Sequence, residues 1–208
     1  MSKISDKFEC YFLDTETTGL DYNKHEIIEI SIYRLNDDEQ RTWFMKPSNY
    51  DSIEPDALRV NGAKLEDLKH QTKEGREKYR DPATVLPEIE MWFMEDMMSA
   101  DDRILVAQNT SYDLSFIRAL WDKHNSNETF PFGNRPKTLD TMQIELLLDL
   151  ARNERSEYYN LGSLVEKHGV KKERAHKASN DVRMTKNVFL SQLEIVKKAF
   201  DENIIRGK

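Results

Sequence analysis

The fold turns on one stretch, Tyr11-Phe12-Leu13-Asp14-Thr15-Glu16-Thr17-Thr18-Gly19-Leu20. Large apolar residues lead into two carboxylates spaced one residue apart, and in an extended chain that spacing puts Asp14 and Glu16 on the same face. Two acids so placed repel each other. A divalent cation between them would offset the repulsion, and hard oxygen donors suit magnesium or manganese. Gly19 would then let the chain turn sharply and a ligand come close to the backbone. Taken alone, the same residues describe an acidic strand end entering a polar loop, so partners elsewhere in the chain must decide.

Composition narrows the field. A chain of 208 residues with no Pro/Gly/Ser-rich linker is expected to form a single domain, 1–208, with its core between about 8 and 193. No stretch is apolar enough to span a bilayer, and Met1 to Lys7 lacks the apolar run of a signal peptide. A soluble, cytoplasmic protein with no membrane partner is the expectation. The single Cys10 excludes an internal disulfide and any cysteine-rich zinc site. A net charge of −7 argues against broad, sequence-blind wrapping of nucleic acid, yet leaves room for a small site that grips a few phosphates through metals.

Along the chain, residues 8 to 13 read as a strand, Ile27 to Tyr33 as a second and Arg41 to Met45 as a third, together an antiparallel meander. Pro55 suits the first turn of a short helix from Ile53 to Val60, which Asn61-Gly62 stops, and Lys64 to His70 reads as a further turn. The charged run Lys73 to Asp81 is a solvated loop or an exposed helix. Val85, Ile89, Trp92 and Phe93 recur at helical spacing with Met97 near the same stripe, so this methionine-rich helix is expected in the core.

Ile104-Leu105-Val106-Ala107 reads as a buried strand, and Gln108-Asn109-Thr110-Ser111 as the N-cap of the next helix. That places Asp113 in a first helical turn just beyond a strand end, the edge at which α/β sheets hold ligands. Lys137 to Thr141 looks like a brief strand leading into a helix from Ile144 to Leu150, with Asp140 a structural cap. Tyr159 to Val170 reads as a short helix closed by Gly169. Ser179 or Asn180 can cap a final helix, about 180–202, whose apolar stripe runs Val182, Thr185, Phe189, Leu193, Val196, Phe200. Asp181 then lies in its first turn and His176 in the loop before it.

Three segments together resemble the DEDD-type 3′→5′ exonucleases, histidine subclass, of the ribonuclease H-like superfamily, a family that includes the epsilon proofreading subunit of bacterial DNA polymerase III. They are Asp14-Thr15-Glu16-Thr17-Thr18-Gly19-Leu20, Gln108-Asn109-Thr110-Ser111-Tyr112-Asp113 and His176-Lys177-Ala178-Ser179-Asn180-Asp181-Val182. The resemblance implies an α/β fold with a mixed five-stranded sheet flanked by helices. It implies Asp14, Glu16, Asp113 and Asp181 as ligands of two Mg2+ or Mn2+ ions and His176 as general base. It also implies Thr15, Thr17, Gly19, Leu20 and Asn109 at the terminal nucleotide. Gln108 stands where many members have histidine, and Tyr112 where phenylalanine is common; neither change removes a ligand.

Such a site would hydrolyse a phosphodiester, with one metal lowering the pKa of a water, the other relieving charge on the leaving 3′ oxygen, and His176 taking the water's proton. Lys171, Lys172, Arg174, Lys177 and Arg183 surround the third motif and could catch phosphates, or form a solvated charge run. The expected partner is the 3′ end of single-stranded nucleic acid, with DNA favoured because the first motif most resembles the epsilon branch, and association with a polymerase is a further expectation. An exoribonuclease acting on short RNA is the runner-up, since nothing in the sequence identifies a group that reads a 2′-hydroxyl. Two other classes are a catalytically inactive binding module and a carboxylate-pair glycosidase, which dependence on added magnesium separates from the metal nuclease.

Overall fold

The computed structural model describes residues 6–124 and 129–201. Its frame is a mixed sheet of β1 (Glu9–Thr17), β2 (Ile27–Arg34), β3 (Glu39–Phe44), β4 (Arg103–Ala107) and β5 (Lys137–Asp140), ordered β3-β2-β1-β4-β5. The first three strands form the expected antiparallel meander, and β4 and β5 add in parallel on the other side of β1. The first strand outruns its apolar segment. Thr15 pairs with Ile30 and Glu16 with Glu29, so β2 carries the ladder four residues beyond Leu13 and both acids lie inside the strand.

Helices α1 (Pro55–Asn61), α2 (Leu65–Leu68), α3 (Lys73–Lys78), α4 (Pro82–Met94), α5 (Thr110–Lys123), α6 (Thr141–Arg152), α7 (Leu161–Lys167) and α8 (Ala178–Asp201) surround the sheet. Strand alternation assigns its two faces. Tyr11 and Leu13 point to the side packed by α4 and α5 through Val85, Ile89, Trp92, Phe116 and Trp121. Phe12 points to the opposite side, against Val182 and Phe189 of α8. The same parity sends Asp14 and Glu16 toward α8 and sends Thr15 and Thr17 toward α5.

Several local expectations need correction. Met97 lies beyond the end of α4, 91% exposed with φ of 57°, and Met91 and Met94 occupy the helix's outer face. The aliphatic and aromatic residues alone supply its core side. Residues 108–111 do not cap α5 through a side chain: Asn109 is its N-cap residue in the left-handed region, φ 64°, without a side-chain cap bond. The carboxylate of Asp140 does that work from β5, accepting from the N–H groups of Asn109 at 3.3 Å and Thr110 at 2.9 Å. It also caps its own helix through Met142 N–H at 2.9 Å. Helix α8 begins at Ala178, ahead of the expected caps Ser179 and Asn180, and its expected end near residue 202 lies outside the described residues. Of the two forms expected for the run from Lys73, a loop or an exposed helix, it takes the helix, with Thr72 capping it. No described helix is long and apolar enough to cross a membrane.

Candidate active site

At the carboxyl ends of β1 and β4, α8 and α5 deliver their first turns to the sheet. Asp14, Glu16 and Asp181 each place a carboxylate oxygen within 4.8 Å of the others. Asp181 Oδ2 accepts the His176 backbone N–H at 2.9 Å, while its Oδ1 is buried and has no hydrogen-bond partner among the described residues. A buried carboxylate oxygen left unpartnered beside two more acids is costly unless a cation completes it. The oxygen-only donor set fits a hard divalent ion. Asp113 lies outside the 4.8 Å group, on the first turn of α5, buried, with Oδ1 accepting from Thr15 Oγ1 at 2.8 Å. That bond follows from strand parity, since residue 15 faces α5 when residues 14 and 16 face α8.

Burial raises every one of these acids, and at Asp14 and Glu16 the charges of the neighbouring acids add to it. Desolvation does most to hold Asp14 well above the usual carboxylate range, followed by the charges of Asp113, Asp181, Glu16 and Glu29. Glu16 is pushed up to about 8, by desolvation first and then by Glu29, Asp181 and Asp113. Asp113 is raised by burial against the opposing bond from Thr15, and Asp181 by burial against the His176 N–H. Acids whose proton affinities are raised by burial and that converge at the ends of strands form a candidate functional site.

Glu29 is a fifth acid that motif matching passed over. It sits directly across from Glu16 in the β1–β2 ladder, raised by its own burial, and its carboxylate faces the Ser179 N–H at the start of α8. Its signal in the sequence is an acid set within the apolar run Ile27, Ile28 and Ile30, which marks a strand buried on both faces, where a charge has no ordinary use.

His176 is exposed, with φ of 60°, and lies close enough to Asp181 for its charge to favour that carboxylate. The loop carrying it is tied down by Arg183, which pairs with both oxygens of Glu173 at 3.1 and 2.5 Å, with Asn180 Oδ1 at 2.6 Å and with Gln40 Oε1 at 3.1 Å. Arg183 is therefore engaged within the protein, against the expectation that it could catch phosphate; Lys171, Lys172, Arg174 and Lys177 are exposed. Gln40 in turn donates to Ser179 O at 2.8 Å, which joins β3 to the start of α8.

The residues expected around a terminal nucleotide lie on both sides of the β1 end. Thr17 Oγ1 bonds the Tyr112 hydroxyl at 2.8 Å and Gly19 O at 2.7 Å. Leu20 stands out at 76% exposure. Asn109 is exposed and accepts from the Ser111 hydroxyl at 3.2 Å. Gln108 is built into the fold, donating to Tyr159 O at 2.7 Å and accepting from Thr141 Oγ1 at 2.6 Å.

The sequence profile of the exonuclease family (RNase_T) matches residues 11–189. The chain is 35% identical over 190 residues to the PolC-type DNA polymerase III of Thermotoga petrophila, covering 89% of this chain and 12% of that protein. Against the PolC-type enzyme of Staphylococcus haemolyticus the identity is 28% over 187 residues, covering 89% of this chain and 11% of that one. The chain thus spans a small part of these polymerases. Among solved structures, exonuclease I superposes with a TM-score of 0.74 at 16% identity, over 95% of this chain and 43% of that one. A zinc-bound E. coli exonuclease I complex with single-stranded DNA gives 0.72 at 17%, with the same coverage. With its mixed five-stranded sheet and a profile match over most of its length, the chain belongs to the exonuclease family, among the DEDD-type 3′→5′ exonucleases of the ribonuclease H-like superfamily.

Proposed function

We propose that this exonuclease removes nucleoside 5′-monophosphates from the 3′ ends of single-stranded DNA with two divalent cations, magnesium or manganese. The observation that carries the reading is the convergence of Asp14, Glu16 and Asp181 oxygens within 4.8 Å, with Asp113 at their side. Those four carboxylates would hold the ions. Once bound, the ions supply a water of lowered pKa and relief of charge on the departing oxygen. His176 accepts the proton of the water that attacks phosphorus, and the bond to the preceding nucleotide's 3′ oxygen breaks. Thr15, Thr17, Gly19, Leu20 and Asn109 position the terminal nucleotide, with Leu20 against its base and the others at its sugar and phosphate.

DNA as substrate is supported by the PolC-type DNA polymerase relatives and by exonuclease I having been solved with single-stranded DNA. The same relatives support association of this chain with a polymerase. The test is digestion of matched 5′-labelled DNA and RNA oligonucleotides with Mg2+, with Mn2+ and with chelator. A descending ladder on DNA that needs added metal is expected, and Asp14→Ala should abolish it. Immediate release of a labelled mononucleotide would reverse the polarity, and faster digestion of the RNA would transfer the activity to the short-RNA reading.

A further inference from the structure

His25 is a buried histidine that the chemistry above does not use. Its relative exposure is 8%, and from the second half of the loop that joins β1 to β2 its ring packs against Gly19 in the first half. The Asp21 N–H donates to Nδ1 at 2.9 Å, so Nδ1 is the acceptor and the neutral ring carries its proton on Nε2. Nε2 lies 3.4 Å from Glu54 Oε1, at the N-cap of α1. The ring presses against Gly19. A Cβ at residue 19 would stand 2.5 Å from both Cε1 and Nε2 of His25 and 2.6 Å from Cδ2, closer than real atoms approach. Gly19 is not among the residues with positive φ, so the imidazole beneath it, rather than a left-handed turn, is what demands glycine there.

The rest of the loop is fastened from both sides. Thr18 O accepts from Glu54 N–H at 2.8 Å, Thr18 N–H donates to Glu26 O at 2.9 Å, and Glu26 N–H donates to Thr18 Oγ1 at 2.9 Å. Asn61 Nδ2 donates to Thr17 O at 3.1 Å. The next residue after this held segment is Leu20, an exposed leucine on a backbone that the imidazole supports from below. A rigid apolar platform of this kind lowers the entropic cost of holding a flat apolar partner such as a nucleobase.

We infer that His25 is a positioning residue for the terminal nucleotide, a wedge that sets the height of Gly19 and Leu20 against the base. This rests on the assignment of residues 15–20 to nucleotide binding in the preceding section. The wedge acts on binding of substrate and product and leaves the carboxylate site alone.

The test uses the full chain with saturating magnesium, a single-stranded DNA oligonucleotide for kinetics and deoxythymidine 5′-monophosphate for calorimetry. His25→Ala should raise KM and the Kd of the mononucleotide by the same factor, about 5–20-fold, with kcat within about twofold of wild type. His25→Asn, which keeps an acceptor near the Asp21 N–H, should recover part of the loss. Gly19→Ala should weaken mononucleotide binding strongly in the wild-type background and much less when combined with His25→Ala, because the added methyl then has space. Unchanged KM and mononucleotide affinity in His25→Ala, or equal harm from Gly19→Ala with and without the imidazole, would overturn the inference while the metal reading stood. Normal digestion by Asp14→Ala would instead sink the metal reading, and the inference with it.

Discussion

Thr15 decides how readily Asp113 becomes a carboxylate. Its hydroxyl donates to Asp113 Oδ1 at 2.8 Å in a buried setting, and that bond opposes the desolvation that holds the acid protonated. Thr15→Val preserves shape and removes the donor, so Asp113 should hold its proton more tightly and yield it to a cation less readily. On the proposed reading, apparent metal affinity falls about 10–100-fold, the usual cost of losing a hydrogen bond to a ligand carboxylate. The rate should return toward wild type at saturating magnesium. Magnesium titrations of nuclease rate check this: the part of the loss that magnesium restores belongs to Asp113, any part that persists at saturation belongs to Thr15's own place at the nucleotide, and an unchanged magnesium midpoint would show that the Thr15 hydroxyl does not tune Asp113. The first motif was legible in the sequence because Asp14 and Glu16 share strand parity, and parity survives uncertainty in where a strand ends. Glu29 was not, because its place opposite Glu16 depends on register, which residue spacing in one strand does not carry.

At the scale of elements, the start of α8 is set by side chains from elsewhere in the chain. Arg183 joins Glu173, Asn180 and Gln40, so the His176 loop, the helix and β3 are fastened to one another. Arg183→Ala should free the loop and lower kcat about tenfold with metal affinity unchanged, since misplacing a catalytic group by about 1 Å can cost up to ~10²-fold. Lysine, a point charge without the planar fork, should rescue little. If the effect runs through His176, a cycle of Arg183→Ala, His176→Ala and the double variant will be strongly non-additive, His176→Ala alone costing about 10²–10⁴-fold. Additive losses would detach the arginine from the histidine. The apolar faces of α4 and α8 were readable from helical period, and the strands from their apolar runs. Local caps were readable as well, Gly62 closing α1 and Asp140 capping its own α6, but the cap of α5 was not: its carboxylate also comes from Asp140, about thirty residues downstream, and local sequence cannot say which distant acid will arrive. Methionines at helical positions in α4 misled for a related reason, since side-chain type does not reveal which face the tertiary structure covers.

Over the whole molecule, two sets of buried acids pull stability in opposite directions with pH. Asp149 sits below the usual range, held chiefly by Lys167, and Glu145 is lowered by Lys167, Gln192 and His168 in spite of its burial. The Asp96 carboxylate is likewise lowered, against its burial, by Arg103 and Tyr11. Depressed acids contribute stability above their unfolded values, and that contribution is lost as pH falls through the folded ones. The site acids have the other sign. Asp14, Glu16, Asp113 and Asp181 are all raised, so the native state binds more protons than the unfolded chain and loses stability as pH climbs from about 4, the unfolded carboxylate value, through the folded values, about 8 for Glu16. A cation that displaces those protons removes the penalty and adds binding free energy, about 2.7 kcal/mol at a hundredfold excess over Kd. The metal-free protein should therefore melt at progressively lower temperature between about pH 5 and about pH 8.5, while saturating magnesium flattens that limb. The gap between the curves should widen with pH and reach roughly 5–10 °C for a chain of this size. Replacing Asp14 and Glu16 together by Asn and Gln should raise the metal-free melting temperature at the alkaline end and abolish the response to magnesium. Melting curves that run parallel with and without magnesium across this range would show that the cation does not displace protons from these carboxylates.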